Sequence, residues 1–201
     1  MTTVDPPGPE PAALPPRQPR KIFLLVGVVV AAALGVGLFT SVGTNNSGAP
    51  HQGGPVPAFT GTNLNGPGSV SVSSSGSNGL PTVLLFFGNW CDACHEELPP
   101  LAAAVRHQQA AGGALARVRV VGIDSEDTTG NAKAFIKSSG VTFPVAYDPN
   151  LDITSGDFYF TGDPFTVFVN GDGTINKIVD GAQLNAASFT ADERALTPSG
   201  T

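Results

Sequence analysis

Thr82-Val-Leu-Leu-Phe-Phe87 runs through Gly88-Asn89 into Trp90-Cys91-Asp92-Ala93-Cys94, and a helix-patterned stretch follows. Apolar residues without alternation mark a strand covered on both faces, which places it in the middle of a sheet. Beyond the joint, Cys94, Leu98, Leu101 and Val105 are spaced 4, 3 and 4 apart, one stripe of a helix. That stripe turns Cys94 toward the core and leaves Cys91 at the exposed tip of the first helical turn. Two thiols three residues apart at a helix start can close a disulfide. The free backbone N–H groups and the helix dipole there also stabilise a thiolate on the first of them. Pro99 and Pro100 fall inside the stretch, where they remove hydrogen bonds and favour a kink.

The remaining pattern supplies a scaffold. A small hairpin is expected over 58–73, with a turn at Asn65-Gly66, and a Ser/Gly loop over 73–81. Arg117 to Ile123 reads as a strand, Asp124 to Asp127 as an acidic loop, and 128–139 as a helix ending at Gly140. A short strand at 141–147 and a loop with one helical turn at 148–163 come next. Phe165–Val169 and Thr174–Val179 are strands joined by Asn170-Gly-Asp-Gly173, a hairpin signal, and a last helix covers 186–196. A βαβ order closed by a hairpin predicts an α/β domain, a mixed sheet flanked by helices on both faces, over residues 58–196, with a short tail at 197–201.

Three segments precede it. Residues 1–21 are proline-rich and too poor in apolar side chains to offset their ordering entropy, which reads as a disordered tail. Arg17, Arg20 and Lys21 then stand before Ile22–Phe39, eighteen residues without a charge and about 27 Å long as a helix, close to a bilayer core of ~30 Å. The basic residues keep the N-terminus in the cytoplasm. A cleaved signal peptide and an uncleaved anchor over 22–40 compete; the length of the span and the lack of an Ala-x-Ala site favour the single-pass anchor. Either reading puts the cysteines outside the cytoplasm, where disulfides persist. Residues 41–57 are a Gly/Ser/Asn/Pro linker.

Residues 41–201 carry seven basic and fourteen acidic side chains. The absence of a basic stripe excludes nucleic acid as the partner class. A zinc site is also disfavoured: Cys91, Cys94 and His107 match part of a finger spacing, but Ala111, Gly112 and Gly113 stand where a fourth ligand belongs. No metal and no cofactor is called for.

Trp90-Cys91-x-x-Cys94-x-x-Glu97-x-Pro99 behind an apolar strand resembles the membrane-anchored, extracytoplasmic thioredoxin-like proteins of the TlpA/ResA/DsbE type. Val56-Pro57-Ala58-Phe59-Thr60, Val121-Gly-Ile-Asp124, Phe143-Pro-Val145 with Asp148, and Gly162-Asp-Pro164-Phe-Thr-Val fall in that family's order. The similarity spans roughly residues 56–195. It implies a thioredoxin fold and thiol–disulfide exchange: Cys91 as the attacking nucleophile, Cys94 as the resolving thiol, and Glu97 as an active-site carboxylate that manages a thiol proton. It further implies a cis peptide before Pro164, facing the cysteines. Trp90 and the backbone around Asp163 and Pro164 would then receive an extended substrate strand. The implied partners are thiols or disulfides of exported proteins, and a transmembrane electron-transfer protein as donor.

Asp92 and Ala93 depart from the Pro-containing dipeptides that many relatives carry between the cysteines. A carboxylate beside Cys91 destabilises its thiolate, which lowers the potential and favours a reductant. Asp92 as a helix N-cap and His95 as a charge offset are alternatives. Asp163 also departs from the apolar or Thr residue usual before that proline, either disfavouring acidic partners or capping the loop. Competing functions are an oxidase that makes disulfides, a thiol peroxidase, and a non-catalytic tethered module. The peroxidase is opposed by Gly88 standing where a Thr-x-x-Cys site needs Thr.

Overall fold

A computed structural model describes residues 48–199. The tail at 1–21, the apolar span at 22–40 and residues 41–47 of the linker lie outside the described residues. Among the described residues no helix is long and apolar enough to cross a membrane.

Seven strands form one mixed sheet: β1 (Phe59–Asn63), β2 (Ser69–Val72), β3 (Thr82–Phe87), β4 (Arg119–Ser125), β5 (Val145–Asp148), β6 (Phe165–Val169) and β7 (Ile175–Asp180), in the order β2-β1-β5-β4-β3-β6-β7. The pairs β3–β4 and β4–β5 are parallel and the other four antiparallel. Every residue of β3 is buried, as its unbroken apolar run requires. The opening hairpin is β1–β2 in antiparallel register, and the Asn170–Gly173 turn joins β6 to β7 as expected.

Among the described residues three α-helices, α1 (Asp92–Ala111), α2 (Thr129–Ser138) and α3 (Ala186–Arg194), all pack on one face of the sheet. Their buried side chains Leu98, Leu101, Val105, Phe135, Ile136 and Phe189 share one core with Val83, Leu85 and Phe87 of β3. The topology requires this for two of them. The steps β3→β4 and β4→β5 move the same way across the sheet, so right-handed crossovers place α1 and α2 together. The opposite face has a thinner cover: a single π-helical turn, Asp152–Asp157, with Phe158 and Phe160 packed on Leu84, Phe86 and Val121. Helices on both faces therefore holds only with that one turn counted. Asp148 fixes the turn by accepting the backbone N–H groups of Ile153 and Thr154 at 3.1 and 2.7 Å. Phe160 stacks on Phe165 at 4.0 Å, and Phe86 meets Phe158 and Phe160 edge-on at 4.9 and 5.1 Å.

One boundary differs from expectation in a way that bears on function. Asp124 and Ser125 are not loop but the end of β4, and both are 0% exposed. Acidity is a poor guide here, because their backbone pairs with Phe87 of β3 and with Tyr147 and Asp148 of β5.

Candidate active site

Cys91 is the N-cap of α1, with extended backbone at φ −90° and ψ 103°. The last strand residue, Phe87, stands four positions earlier, and Cys91 N–H donates to Gly88 O at 3.1 Å to close the turn between strand and helix. Cys91 and Cys94 are joined as a disulfide with Cα atoms 5.2 Å apart, and Cys94 N–H donates to Cys91 Sγ at 3.1 Å. The same N–H would stabilise a thiolate on Cys91 after reduction, with the positive end of a 20-residue helix behind it.

The expected exposure of Cys91 is corrected by the structure: it is 5% exposed in the disulfide, against 1% for Cys94. The turn that carries it is tied down by bonds to the end of β4 and to the loop after it. Trp90 Nε1–H donates to Ser125 O at 2.9 Å, and Asn89 N–H donates to Asp127 Oδ2 at 2.5 Å. Gly88 permits this closure, since a Cβ there would meet the Trp90 indole and lie 2.9 Å from Ser125 O. Trp90 itself stays 48% exposed beside the buried pair. Asp92 is the first helical residue and exposed, so its N-cap reading fails; the cap is Cys91. Ala93 is half-buried against the core. His95 bonds Asn89 O at 2.8 Å and lies against the Phe135 ring.

Cys94, Glu97 and Pro164 line one small internal cavity together with Phe86, Leu98 and Thr166. Three of the residues singled out from the sequence thus meet at one point. Glu97 is buried, and its Oε1 accepts Leu184 N–H at 3.0 Å. Burial raises its pKa above the usual carboxylate value, and the Leu184 bond offsets part of that rise. The Asp163–Pro164 peptide is cis. Trp90 and Asp163 line an adjoining cleft with Glu126 and Phe160.

Asp163 does not cap the loop: its carboxylate oxygens are shielded from water and take no backbone N–H, with the Ser125 hydroxyl nearby. Burial drives its pKa up to about 7; the Ser125 hydroxyl, itself bonded to Thr154 at 2.8 Å, offsets only part, and Asp148, Asp127 and Glu126 add repulsion. Asp124 lacks partners on both oxygens, and burial, then Asp127 and Asp163, push it to about 8. Asp124, Ser125, Asp127 and Leu184 were not singled out as site residues from the sequence. Apolar Val120 to Ile123 running straight into Asp124 was the available signal that the strand continues.

Known proteins resemble the chain at this site and through the fold. The ResA thiol-disulfide oxidoreductase of Bacillus subtilis (strain 168) is 27% identical over 173 residues, 85% of this chain and 90% of that protein. The DsbE thiol:disulfide interchange protein of Escherichia coli (strain K12) is 26% identical over 163 residues, 78% of this chain and 83% of that one. A secreted Mycobacterium tuberculosis disulfide oxidoreductase superposes with a TM-score of 0.56 at 26% identity, covering 69% of this chain and 96% of that structure. The family model described as AhpC/TSA matches residues 52–178. The chain belongs to the AhpC/TSA family and is a thioredoxin-like thiol–disulfide oxidoreductase of the ResA/DsbE type.

Proposed function

We propose that the protein reduces disulfides of exported proteins, using Cys91 as nucleophile and Cys94 as resolving thiol. The observation that carries this reading is the Cys91 sulfur at the N-cap of α1, accepting the Cys94 N–H, with Cys94 sealed behind it. In the reduced enzyme the Cys91 thiolate attacks one sulfur of a substrate disulfide and displaces the other as a thiolate. Cys94 then gives its proton to Glu97 and attacks the Cys91 sulfur. That step releases the second substrate thiolate and leaves the Cys91–Cys94 disulfide. Glu97 suits proton transfer because it lines the cavity with Cys94 and burial raises its pKa, against the pull of the Leu184 N–H. Trp90 and the backbone at Asp163 and Pro164 form the rim that receives the substrate strand.

The reducing direction rests on Asp92, exposed beside Cys91 in the first helical turn and free of a capping role. Location rests on the sequence: Ile22–Phe39 behind Arg17, Arg20 and Lys21 anchors residues 58–196 outside the cytoplasm through the linker at 41–57. A transmembrane electron-transfer protein would then return electrons to the disulfide. The test is the reduction potential of the Cys91–Cys94 couple. A value at or below about −220 mV supports a reductant. A value near −120 mV overturns the direction and makes the protein an oxidase.

A further inference from the structure

We propose that the turn between β7 and α3, residues 181–185, is a positioning element for the thiol proton: its Leu184 N–H holds Glu97 so that one carboxyl oxygen, Oε2, is left for Cys94. The proposal rests on Cys91–Cys94 being the redox couple and on Glu97 being its proton carrier.

The parts meet in one place. Cys94 and Glu97 stand one helical turn apart on α1 and line the same small cavity as Pro164 and Thr166. Glu97 Oε1 accepts Leu184 N–H at 3.0 Å, and among the described residues no group bonds Oε2. A backbone N–H can only donate, so the oxygen it engages stays an acceptor and the acidic proton goes to the other. The exchange with Cys94 is thereby assigned to Oε2.

The donor is fixed from both sides. Gly181 N–H donates to Pro164 O at 2.9 Å, just beyond the Phe165–Asp180 pair of the β6–β7 ladder. Gly181 then turns the chain at φ 77°, left-handed backbone that glycine adopts readily, and Gln183 N–H closes the turn on Gly181 O at 2.9 Å. Leu184 is buried in the helix-side core with Phe189 and Leu196. Asn185 caps α3 through both halves of a capping box. One short turn therefore grips Pro164 at one end and the active-site acid at the other.

No other charge competes for Glu97. Apart from Cys94 and Thr166, the cavity wall is apolar. On α1, Asp92, His95 and Glu96 are exposed; on β7, Asp180 is exposed. Asp192, Glu193 and Arg194 stand at the far end of α3, and Asp163 lines the adjoining Trp90 cleft instead. Burial and the Leu184 bond are thus the two influences on the acid, the first raising its proton affinity and the second lowering it. With a substrate sulfur joined to Cys91, the Cys94 thiol proton passes to Oε2 and the Cys94 sulfur bonds the Cys91 sulfur. The substrate leaves as a thiolate.

The test replaces the Leu184 amide by an ester in the full chain, through incorporation of the α-hydroxy acid of leucine, which removes the N–H and keeps the side chain. Carboxyl carbon NMR of the disulfide form, in which neither cysteine titrates, is expected to show the Glu97 midpoint raised by about half to one pH unit. Quenched flow then follows the reduced chain with oxidised glutathione, counting the mixed disulfide on Cys91 by mass. Its formation stays within about twofold of wild type, whereas its closure by Cys94 slows by about three- to tenfold on the acid side, the pH profile moving up with the Glu97 midpoint. Asn185→Ala shows the same pattern to a smaller degree, and Asn185→Asp, which still caps, restores wild-type behaviour. Should the ester fail to fold, Asn185→Ala against Asn185→Asp decides. An unmoved Glu97 midpoint, or formation and closure slowed alike, overturns the positioning role. A Glu97→Gln variant that closes the disulfide as fast as wild type overturns Glu97 as the proton carrier instead.

Discussion

At the scale of single residues, the informative side chains are carboxylates placed where carboxylates are expensive. Glu193 is the case remote from the cysteines. It is 1% exposed, its Oε2 accepts Gln108 Nε2 at 2.6 Å, and its Oε1 has no partner. Burial pushes its pKa up to about 7, with the Gln108 bond and Arg194 pulling the other way. A carboxyl whose folded pKa lies above its unfolded value binds more protons when folded. Its stabilising effect is complete at acid pH and is lost as pH rises through the folded value. Chemical denaturation should therefore show Glu193→Gln gaining on wild type by on the order of 2 kcal/mol between about pH 4.5 and 8. Such residues are invisible in the sequence, because a charged letter reads as surface until the fold closes over it.

Elements were legible where periodicity was strong. The β3 strand, the inner stripe of α1 and the hairpin around Asn170–Gly173 appear where residue patterns put them. The Cys91–Cys94 disulfide is closed, Glu97 is buried one turn beyond Cys94, and the bond before Pro164 is cis, the last expected through a family resemblance rather than from local chemistry. What escaped was inter-element bonding. Nothing in the sequence joins Glu97 to Leu184 or Asn89 to Asp127, positions far apart in the chain. The Glu97 contact depends on how α3 begins. Asn185 caps that helix, its Oδ1 accepting the N–H groups of Ala187 and Ser188 at 3.0 Å while Ser188 Oγ accepts Asn185 N–H. Asn185→Ala should cost about 1 kcal/mol in denaturant unfolding. Because Leu184 is the preceding residue, the same change should also slow turnover by loosening the Glu97 bond, which an insulin-reduction assay would read.

For the molecule as a whole, the sheet divides the structure into unequal halves. One face is insulated by three helices, and the other by a six-residue turn and two phenylalanines. That turn is bounded by Leu151 and Tyr159, both non-glycine residues in left-handed backbone at φ 61° and 60°, each costing on the order of 1 kcal/mol. Amide hydrogen exchange should accordingly find residues 152–160 opening well below the global unfolding free energy, while β3 and α1 exchange only on full unfolding. Asp148→Asn, which weakens the hold on Ile153 and Thr154, should speed that exchange further.

The thin cover leads straight into Gly162, Asp163 and Pro164. One wall of the cleft lined by Trp90, Glu126, Phe160 and Asp163 therefore continues the thinly covered segment, and the cysteines sit at the start of a 20-residue helix packed on the other face. Movement of that wall need not disturb the sulfur geometry, so adjustable shape and fixed sulfur chemistry fall to different parts of one small domain.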